Sequence, residues 1–263
     1  MGEHAEVRAA GEGAVGYASA AKVPAVTLVF WVLKVLATTL GETAGDTLSM
    51  TLNLGYLAAT AIFAAIFAAA VAAQIAARRF HPWVYWFTII ATTTVGTTLA
   101  DFATRDLGIG YAGGSALLLA LLLTSLAVWY RALGTVAVES VSTPAAEIYY
   151  WVTIMFSQTL GTALGDWTAD SAGFGYGGAA IIFGGLLLLI AVAYWWTSIS
   201  HTILFWSAFV LTRPLGAVLG DLLDKPVDKG GFAFSRPLAS AILLGAMVVC
   251  LVVFPQRAAG KGH

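Results

Sequence analysis

The sequence has little charge. Only 10% of its 263 residues are Asp, Glu, Lys or Arg, whereas 59% are hydrophobic, and the mean hydropathy is +0.85. A typical soluble domain carries about 25% charged residues. A soluble protein of this length could not bury so much apolar surface, because its surface is too large for its volume. We therefore expect an integral membrane protein whose main partner is the lipid bilayer.

Other features are also scarce, and each absence excludes a class of function. The single cysteine, Cys250, lies in the last apolar stretch, which excludes an internal disulfide and a thiolate metal site. The net charge is −1 and there is no cluster of basic residues, so no nucleic acid partner is expected. The sequence contains neither a glycine-rich nucleotide loop nor a nucleophile elbow. We expect no enzymatic activity and no cofactor.

Four segments of the chain share one register of residue types. Each begins with an aromatic–Trp pair, carries an Asp fifteen residues after the Trp, and has a small residue directly before that Asp. Glycine stands five residues before each Asp and nine residues after it. The repeated residues are Trp31, Trp86, Trp151 and Trp206, and Asp46, Asp101, Asp166 and Asp221. Because five matching positions recur four times, the chain is a tandem repeat.

The repeat predicts the topology, because each unit contains two apolar stretches long enough to cross a membrane. The predicted spans are 24–46, 56–77, 82–104, 111–130, 145–167, 177–197, 201–223 and 237–254. A cytoplasmic tail is predicted at 1–22, with repeats at 23–80, 81–140, 141–198 and 199–263. An even number of spans per unit makes the repeats parallel. We expect an all-α polytopic fold of about eight helices, in two parallel halves, with all four aspartates at one membrane face.

This arrangement resembles a family of bacterial membrane proteins defined by four tandem two-helix repeats, each with a signature tryptophan. The resemblance covers nearly the whole chain through the four tryptophans and the Gly-x-x-x-small-Asp runs. That family has no known function. The resemblance therefore implies the fold and a location in the bacterial inner membrane, and implies no activity or site residues.

Basic residues predict which side the termini face. With the N-terminus in the cytoplasm, seven Lys and Arg residues lie on the cytoplasmic side and four on the other. This bias favours cytoplasmic termini. Nine of the fourteen acidic residues then lie on or near the outer side, where an acidic mouth would concentrate cations.

In the first three repeats, a stripe of residues three, four and seven positions before each aspartate shares its helical face, and all of them are polar or acidic except Ala163. An ionisable group inside a span is costly and marks a functional site by default. This stripe of polar residues along each aspartate-bearing helix predicts a polar vestibule that is open at the outer face. The predicted ion-binding residues are Asp46, Asp101, Asp166, Asp221, Glu42, Thr39, Thr94, Thr97, Thr159, Thr162 and Gln158, with the four aspartates as metal ligands. In the alternative interpretation, the threonines bond their own helices and the aspartates bond loop amides.

Small residues precede each aspartate at four-residue spacing, which lets neighbouring helices approach closely. The residues predicted to pack helices are Gly41, Gly45, Gly96, Gly161, Gly165, Gly216 and Gly220.

The fourth repeat departs from this pattern. Arg213 stands where the other repeats have neutral polar residues, and Pro214 follows it. The proline should open or kink the helix, because it removes a backbone donor. A buried arginine needs a carboxylate partner. The candidates are Glu42, Asp46 and Asp221. Lys34 is predicted to be a second internal counter-ion, with snorkelling to the membrane surface as the alternative.

These features favour a transporter or permease for a small cation. Carboxylate and hydroxyl oxygens suit hard ions such as Mn²⁺ or Mg²⁺, and proton coupling is compatible with the buried acids. The alternatives are an organic or anionic solute permease that uses Arg213 and Lys34, an ion channel, and a non-transporting scaffold or sensor. An intramembrane aspartyl protease is disfavoured, because the sequence has no Gly-x-Gly-Asp run. The substrate identity is left open, and so is a homo-oligomer.

Overall fold

The structure, a computed structural model, describes residues 21–260. Residues 1–20 of the predicted tail at 1–22 lie outside the described residues. The eight long helices are α1 Leu28–Asp46, α2 Tyr56–Ala76, α3 Pro82–Asp101, α4 Tyr111–Leu133, α5 Pro144–Asp166, α6 Gly175–Trp196, α7 His201–Asp224 and α8 Arg236–Val253. Each predicted span agrees with one of these helices to within four residues at either end. The all-α fold is confirmed.

Local signals in the sequence set the first residues of several helices. Thr27 and Thr143 cap α1 and α5, because their hydroxyls accept hydrogen bonds from the amides of Phe30 and Ala146. Such caps satisfy backbone donors that have no partner within the helix. Proline occupies the first turn of α3, α5 and α8, where its missing amide donor is not needed.

The ends of the aspartate-bearing helices are unusual. In the first three repeats, the helix continues past its aspartate into a five-residue π-helical turn. These turns are Thr47–Thr51, Phe102–Asp106 and Trp167–Ser171. The glycine nine residues after each aspartate then has a positive φ, namely 76° at Gly55, 73° at Gly110, 65° at Gly175 and 84° at Gly230. Glycine adopts this conformation without strain, which explains why it recurs there.

The first helices of the four repeats form a closed inner ring in the order α1, α3, α5, α7 and back to α1. The second helix of each repeat packs outside this ring, against the first helix of the next repeat. Thus α2 packs on α3, α4 on α5, and α6 on α7, while α8 returns to α1. The last repeat therefore closes the structure on the first.

The predicted packing glycines hold the ring together, and they do so in one register. A Cβ at Gly41 would overlap Thr93, and the same relation joins Gly96 to Gln158, Gly161 to Arg213, and Gly216 to Thr38. One turn further on, Gly45 faces Thr97, Gly165 faces Ala217, and Gly220 faces Glu42. Because the same positions meet at every interface, the four inner helices are parallel and level. The predicted parallel arrangement of the repeats is confirmed.

Six of the eight helices are long and apolar enough to cross a membrane. The other two, α3 and α5, contain many polar residues and lie in the inner ring, where other helices surround them. The outer helices bury little of their surface, from 11% of the span in α2 and α8 to 22% in α4, compared with 61% in α1 and 67% in α7. The outer helices thus present their apolar surface to lipid, as expected of a multi-pass membrane protein.

The two ends of the described chain meet at one face of the ring, which we call the terminal face. The Ala25 amide donates to the Arg257 carbonyl, and the Ala259 amide donates to the Val23 carbonyl, both at 2.8 Å. Lys22 is only 7% exposed, and its amine lies 2.7 Å from a Glu147 carboxylate oxygen. The predicted tail boundary at residue 22 is therefore too late, because Lys22 is already packed into the fold. We call the opposite face, where the inner helices end, the aspartate face.

Candidate functional site

The centre of the inner ring is built from equivalent positions spaced four residues apart. Starting at each aspartate and stepping back along its helix gives five layers of four residues, and all twenty residues are buried. The layers are Asp46, Asp101, Asp166 and Asp221; Glu42, Thr97, Thr162 and Ala217; Thr38, Thr93, Gln158 and Arg213; Lys34, Ile89, Ile154 and Phe209; and Phe30, Tyr85, Tyr150 and Phe205. We call these the axial layers. They change from acidic at the aspartate face to aromatic at the terminal face.

The four aspartates lie together at one level, as predicted, but they are not open to water. Their exposed fractions are 1–3%. The expectation of an open vestibule is therefore wrong. The helix termini do not end in solvent, because each of the first three continues into its π-helical turn.

Two cations bridge the aspartates in pairs. The Arg105 guanidinium lies 2.8 Å from Asp101 and 3.2 Å from Asp166. The Lys225 amine lies 2.9 Å from Asp221 and 3.3 Å from Asp46. Within residues 21–260, the aspartates thus meet side-chain cations and cap no loop amide. The alternative in which they only bond the loop backbone is not what the structure shows.

Further charges surround the Asp46 side of this level. The Arg236 guanidinium lies 2.9 Å from Asp224 and 3.7 Å from Asp46. Sequence reasoning missed Arg105, Lys225, Arg236 and Asp224 as site residues. A signal was present, since Arg105 and Lys225 each stand four residues after an aspartate and therefore share its helical face.

Arg213 crosses the centre of the ring and contacts the other three repeats. Its Nη2 donates to Glu42 at 2.8 Å, to the Thr97 hydroxyl at 2.6 Å and to the Thr162 hydroxyl at 2.5 Å. Its Nη1 donates to the Thr38 carbonyl at 3.4 Å, and the side chain is fully buried. The predicted internal ion pair is confirmed. Of the three candidate partners, the structure selects Glu42.

The helix that carries Arg213 is continuous from His201 to Asp224. The predicted opening of α7 at Pro214 is therefore not found. The proline ring fits against Gly161, where a Cβ would lie 2.9 Å from Pro214 Cδ. The glycine of one repeat thus accommodates both the arginine and the proline of the next.

Lys34 lies one layer deeper and is also fully buried. Its amine lies 3.5 Å from the Gln158 side-chain oxygen and 4.1 Å from the centre of the Phe209 ring. Within the described chain, no carboxylate lies within 4.0 Å of it. The snorkelling alternative does not hold, because the side chain reaches no surface. Its predicted role as a counter-ion to a carboxylate is not found either.

The threonines divide into two groups. Thr97 and Thr162 belong to the axial layers and bond Arg213, as described above. Thr39, Thr94 and Thr159 instead donate to carbonyls of their own helices, each at 2.9 Å. These three residues, seven positions before the aspartates, lie outside the axial layers. For them the alternative interpretation is the better one.

One group of carboxylates has a geometry that could hold a metal ion. Glu42, Asp46 and Asp221 each place an oxygen within 4.8 Å of the other two, and all three residues are buried. Asp101 and Asp166, also predicted as metal ligands, are not part of this group. On the helices that carry Asp101 and Asp166, the positions equivalent to Glu42 are Thr97 and Thr162.

The repeat pattern matches a known family model, described as a Repeat of Unknown Function (DUF347), at residues 29–80, 84–135, 149–200 and 204–255. The protein belongs to the DUF347 family. The predicted membership in a family of tandem repeats of unknown function is thus confirmed. Neither the curated proteins nor the solved structures contain a match to this chain.

The four DUF347 repeats share a backbone arrangement but not a chemistry. Each contributes one aspartate to the first axial layer, yet only the first contributes Glu42 and Lys34, and only the fourth contributes Arg213. The acidic layers and their neighbours contain six buried carboxylates, Glu42, Asp46, Asp101, Asp166, Asp221 and Asp224. Within residues 21–260, four cations pair with them, Arg105, Arg213, Lys225 and Arg236. The cluster therefore carries a formal charge of −2 with every group ionised.

Proposed function

We propose that this protein is a membrane transporter or permease for a small, hard cation, with divalent ions such as Mn²⁺ or Mg²⁺ as its substrates. The observation that supports this most is the formal charge of −2 in the buried cluster at the aspartate face. Uncompensated charge is costly where water is excluded. A divalent cation supplies the two missing positive charges. Two bound protons would do the same, which is how proton coupling enters the proposal.

The ligand chemistry supports a hard ion. Carboxylate oxygens dominate the cluster, and hydroxyl oxygens of Thr97 and Thr162 lie next to it. Hard cations such as Mg²⁺, Mn²⁺ and Ca²⁺ prefer oxygen ligands, whereas copper and zinc favour sulfur and imidazole. Cys250, the one cysteine of the chain, lies on α8 outside the axial layers.

The axial layers outline the route. From the acidic layer inward, the ring is lined for two further layers by polar side chains and Ala217, and then by Lys34 with three apolar residues. At the terminal face, Tyr85 and Tyr150 share a hydrogen bond of 2.6 Å across the aromatic layer. Both ends are closed in this conformation. Transport would require the aromatic layer and the π-helical turns to open in turn, as in alternating access.

We further propose that the protein lies in the bacterial inner membrane with both ends of the chain in the cytoplasm. Lys and Arg residues favour that side by seven to four. Single-cysteine variants in a Cys250→Ala background test this. Ala172→Cys, at the aspartate face, should react with an impermeant maleimide added to intact spheroplasts, and Ala132→Cys, at the terminal face, should react only after lysis. The reverse labelling pattern would overturn the orientation and leave the cation site unaffected.

Transport itself is tested by uptake of radiolabelled Mn²⁺ into proteoliposomes. Asp46→Asn and Asp221→Asn should each lower the initial rate by about tenfold or more, since even the loss of an outer-shell partner typically weakens a metal site by 10–100-fold. Thr39→Val is the matched control, because the Thr39 hydroxyl bonds only its own helix. Its uptake should stay near the wild-type rate. If wild-type liposomes take up Mn²⁺, Mg²⁺ and Ca²⁺ no faster than empty ones, the proposed function is wrong.

A further inference from the structure

We propose that the substrate cation binds between Glu42, Asp46 and Asp221, and that the amine of Lys225 occupies this site as a tethered competitor until the ion displaces it. This inference rests on the proposed function and makes it specific. It assigns the binding site to one corner of the aspartate level rather than to the whole ring. It also gives Lys225 a role as a regulator of access to that site.

The three carboxylates lie close enough together to bind one hard ion. Oxygens on opposite sides of an ion are about 4–5 Å apart when metal–oxygen distances are about 2.0–2.6 Å. The three oxygens lie within 4.8 Å of one another. The three residues are therefore close enough to be ligands of one ion.

One oxygen of this carboxylate group is buried without a hydrogen-bond partner. Asp46 is 1% exposed, and its Oδ1 accepts no hydrogen bond from any residue in the described range. Buried polar atoms are normally paired, so an orphaned carboxylate oxygen calls for an explanation. A bound cation provides one, because it would take the lone pairs that the protein leaves free.

Lys225 stands in for that cation. Its amine lies 2.9 Å from Asp221 Oδ1 and 3.3 Å from Asp46 Oδ2, and its side chain is 12% exposed. The residue follows α7 directly, and its carbonyl is fixed by the Ala233 amide at 2.9 Å. The backbone is therefore anchored while the four-carbon side chain remains free to turn outward. A lysine offers a single flexible positive charge, which a divalent ion can outcompete.

Within residues 21–260, the other half of the aspartate level has only two carboxylates, Asp101 and Asp166. Arg105 bridges Asp101 and Asp166, but the neighbouring positions in the next layer are Thr97 and Thr162, so no third carboxylate is available. On the Lys225 side, two further cations are already committed. Arg213 is bonded to Glu42 at 2.8 Å, and Arg236 lies closer to Asp224 than to Asp46. Lys225 is the cation whose departure leaves two of the three carboxylates free for an ion, and one proton bound to the cluster then completes its charge balance.

The test is Mn²⁺ binding to the purified full-length protein in detergent, measured by titration calorimetry. Lys225→Met introduces the residue that the first repeat carries at the same position, Met50. This variant should bind Mn²⁺ about tenfold more tightly than wild type or better, because a charge-assisted contact no longer competes with the ion. Lys225→Arg keeps the charge and should not gain affinity.

Arg105→Met is the matched control, because it removes the same charge from the same level but leaves Lys225 in place. Its affinity for Mn²⁺ should change by less than about threefold, since the pairing it disrupts lies outside the three-carboxylate group. Lys225→Gln provides a second neutral variant if Lys225→Met does not fold. Thermal melting of each variant without metal identifies any that fail to fold.

The outcomes separate the inference from the proposed function. Tighter binding in Lys225→Met and Lys225→Gln, but not in Arg105→Met, supports the proposal that the Lys225 amine competes with the ion. If wild type binds and transports Mn²⁺ while both lysine variants bind it with the same or a lower affinity, the proposed competition by Lys225 is wrong and the transport function stands. An equal gain in Arg105→Met would overturn the single-corner site in favour of a general charge effect. If no variant and no wild-type sample binds Mn²⁺, Mg²⁺ or Ca²⁺, both proposals are wrong.

Discussion

Arg213→Ala should lower the free energy of unfolding by about 3–5 kcal/mol, the usual effect of removing one partner of a buried ion pair. The substitution leaves Glu42, which is 3% exposed, without the guanidinium that lies 2.8 Å from it. It also removes the donor that Thr97 and Thr162 share. Thermal denaturation of the purified protein in detergent, followed by circular dichroism, measures the loss.

Two controls make this prediction specific. Thr93→Ala, at the equivalent position of the second repeat, removes a hydroxyl that bonds the Ala37 carbonyl at 3.2 Å and should cost only about 1 kcal/mol. In the double variant Arg213→Gln with Glu42→Gln, two neutral groups replace the ion pair, so part of the stability should return. Pairing Arg213→Gln with Asp46→Asn or Asp221→Asn should give no such recovery. Independent effects of the Arg213 and Glu42 substitutions would refute the ion pair as the source of stability.

Lys34→Met should have the opposite effect and raise the free energy of unfolding by up to about 3 kcal/mol, the approximate cost of placing a lysine at the centre of a membrane helix. The gain arises because Lys34 is fully buried without a carboxylate partner in the part of the chain that the structure describes. Part of it is offset by the lost cation–π contact with Phe209, which contributes about 2 kcal/mol when desolvated. Melting in detergent and uptake in proteoliposomes should both be measured.

The matched control lies in the same axial layer. Ile89→Met exchanges one apolar side chain for another of similar volume and should change stability by less than about 1.5 kcal/mol. We expect Lys34→Met to be more stable than wild type and slower in transport. Lys34 lies next to the polar layers, and its amine forms no ion pair with a carboxylate in the described chain, so we expect its charge to act in transport rather than in stability. A lower melting temperature for Lys34→Met would mean that Gln158 and Phe209 compensate the buried charge fully.

The sequence predicted most of the fold because the repeat constrains it so strongly. The spacing of glycine and aspartate placed the helices, and the even number of spans per unit made the inner helices parallel. The sequence predicted only some of the polar residues that lie at the centre of the ring. Residues three, four and seven positions before an aspartate all lie near its face of an isolated helix. In the ring, glycine contacts four residues apart set how the helices cross. That crossing puts Thr97 at the centre and turns Thr94 toward its own backbone.

The ion pairs at the aspartate face were missed for a different reason. Arg105 and Lys225 follow the helices, in segments whose sequence is typical of loops, so a contact with the buried aspartates is not expected from sequence. The π-helical turn after Asp101 carries Arg105 back over the aspartates. No periodic pattern in the sequence marks such a turn. The choice of Glu42 over Asp46 and Asp221 as the partner of Arg213 likewise depends on layer heights, which only the packed ring defines.

The two helices that form one sequence repeat are not the two helices that pack most closely together. The second helix of each hairpin lies against its successor in the chain rather than its own partner, and α8 completes the circle on α1. The strand-like contact between Val23 and Ala259 brings the two ends within reach of a short linker. The architecture thus has no intrinsic starting point. A circular permutant that joins residue 260 to residue 21 and opens at the exposed Gly134 would keep every interhelical interface of the native protein.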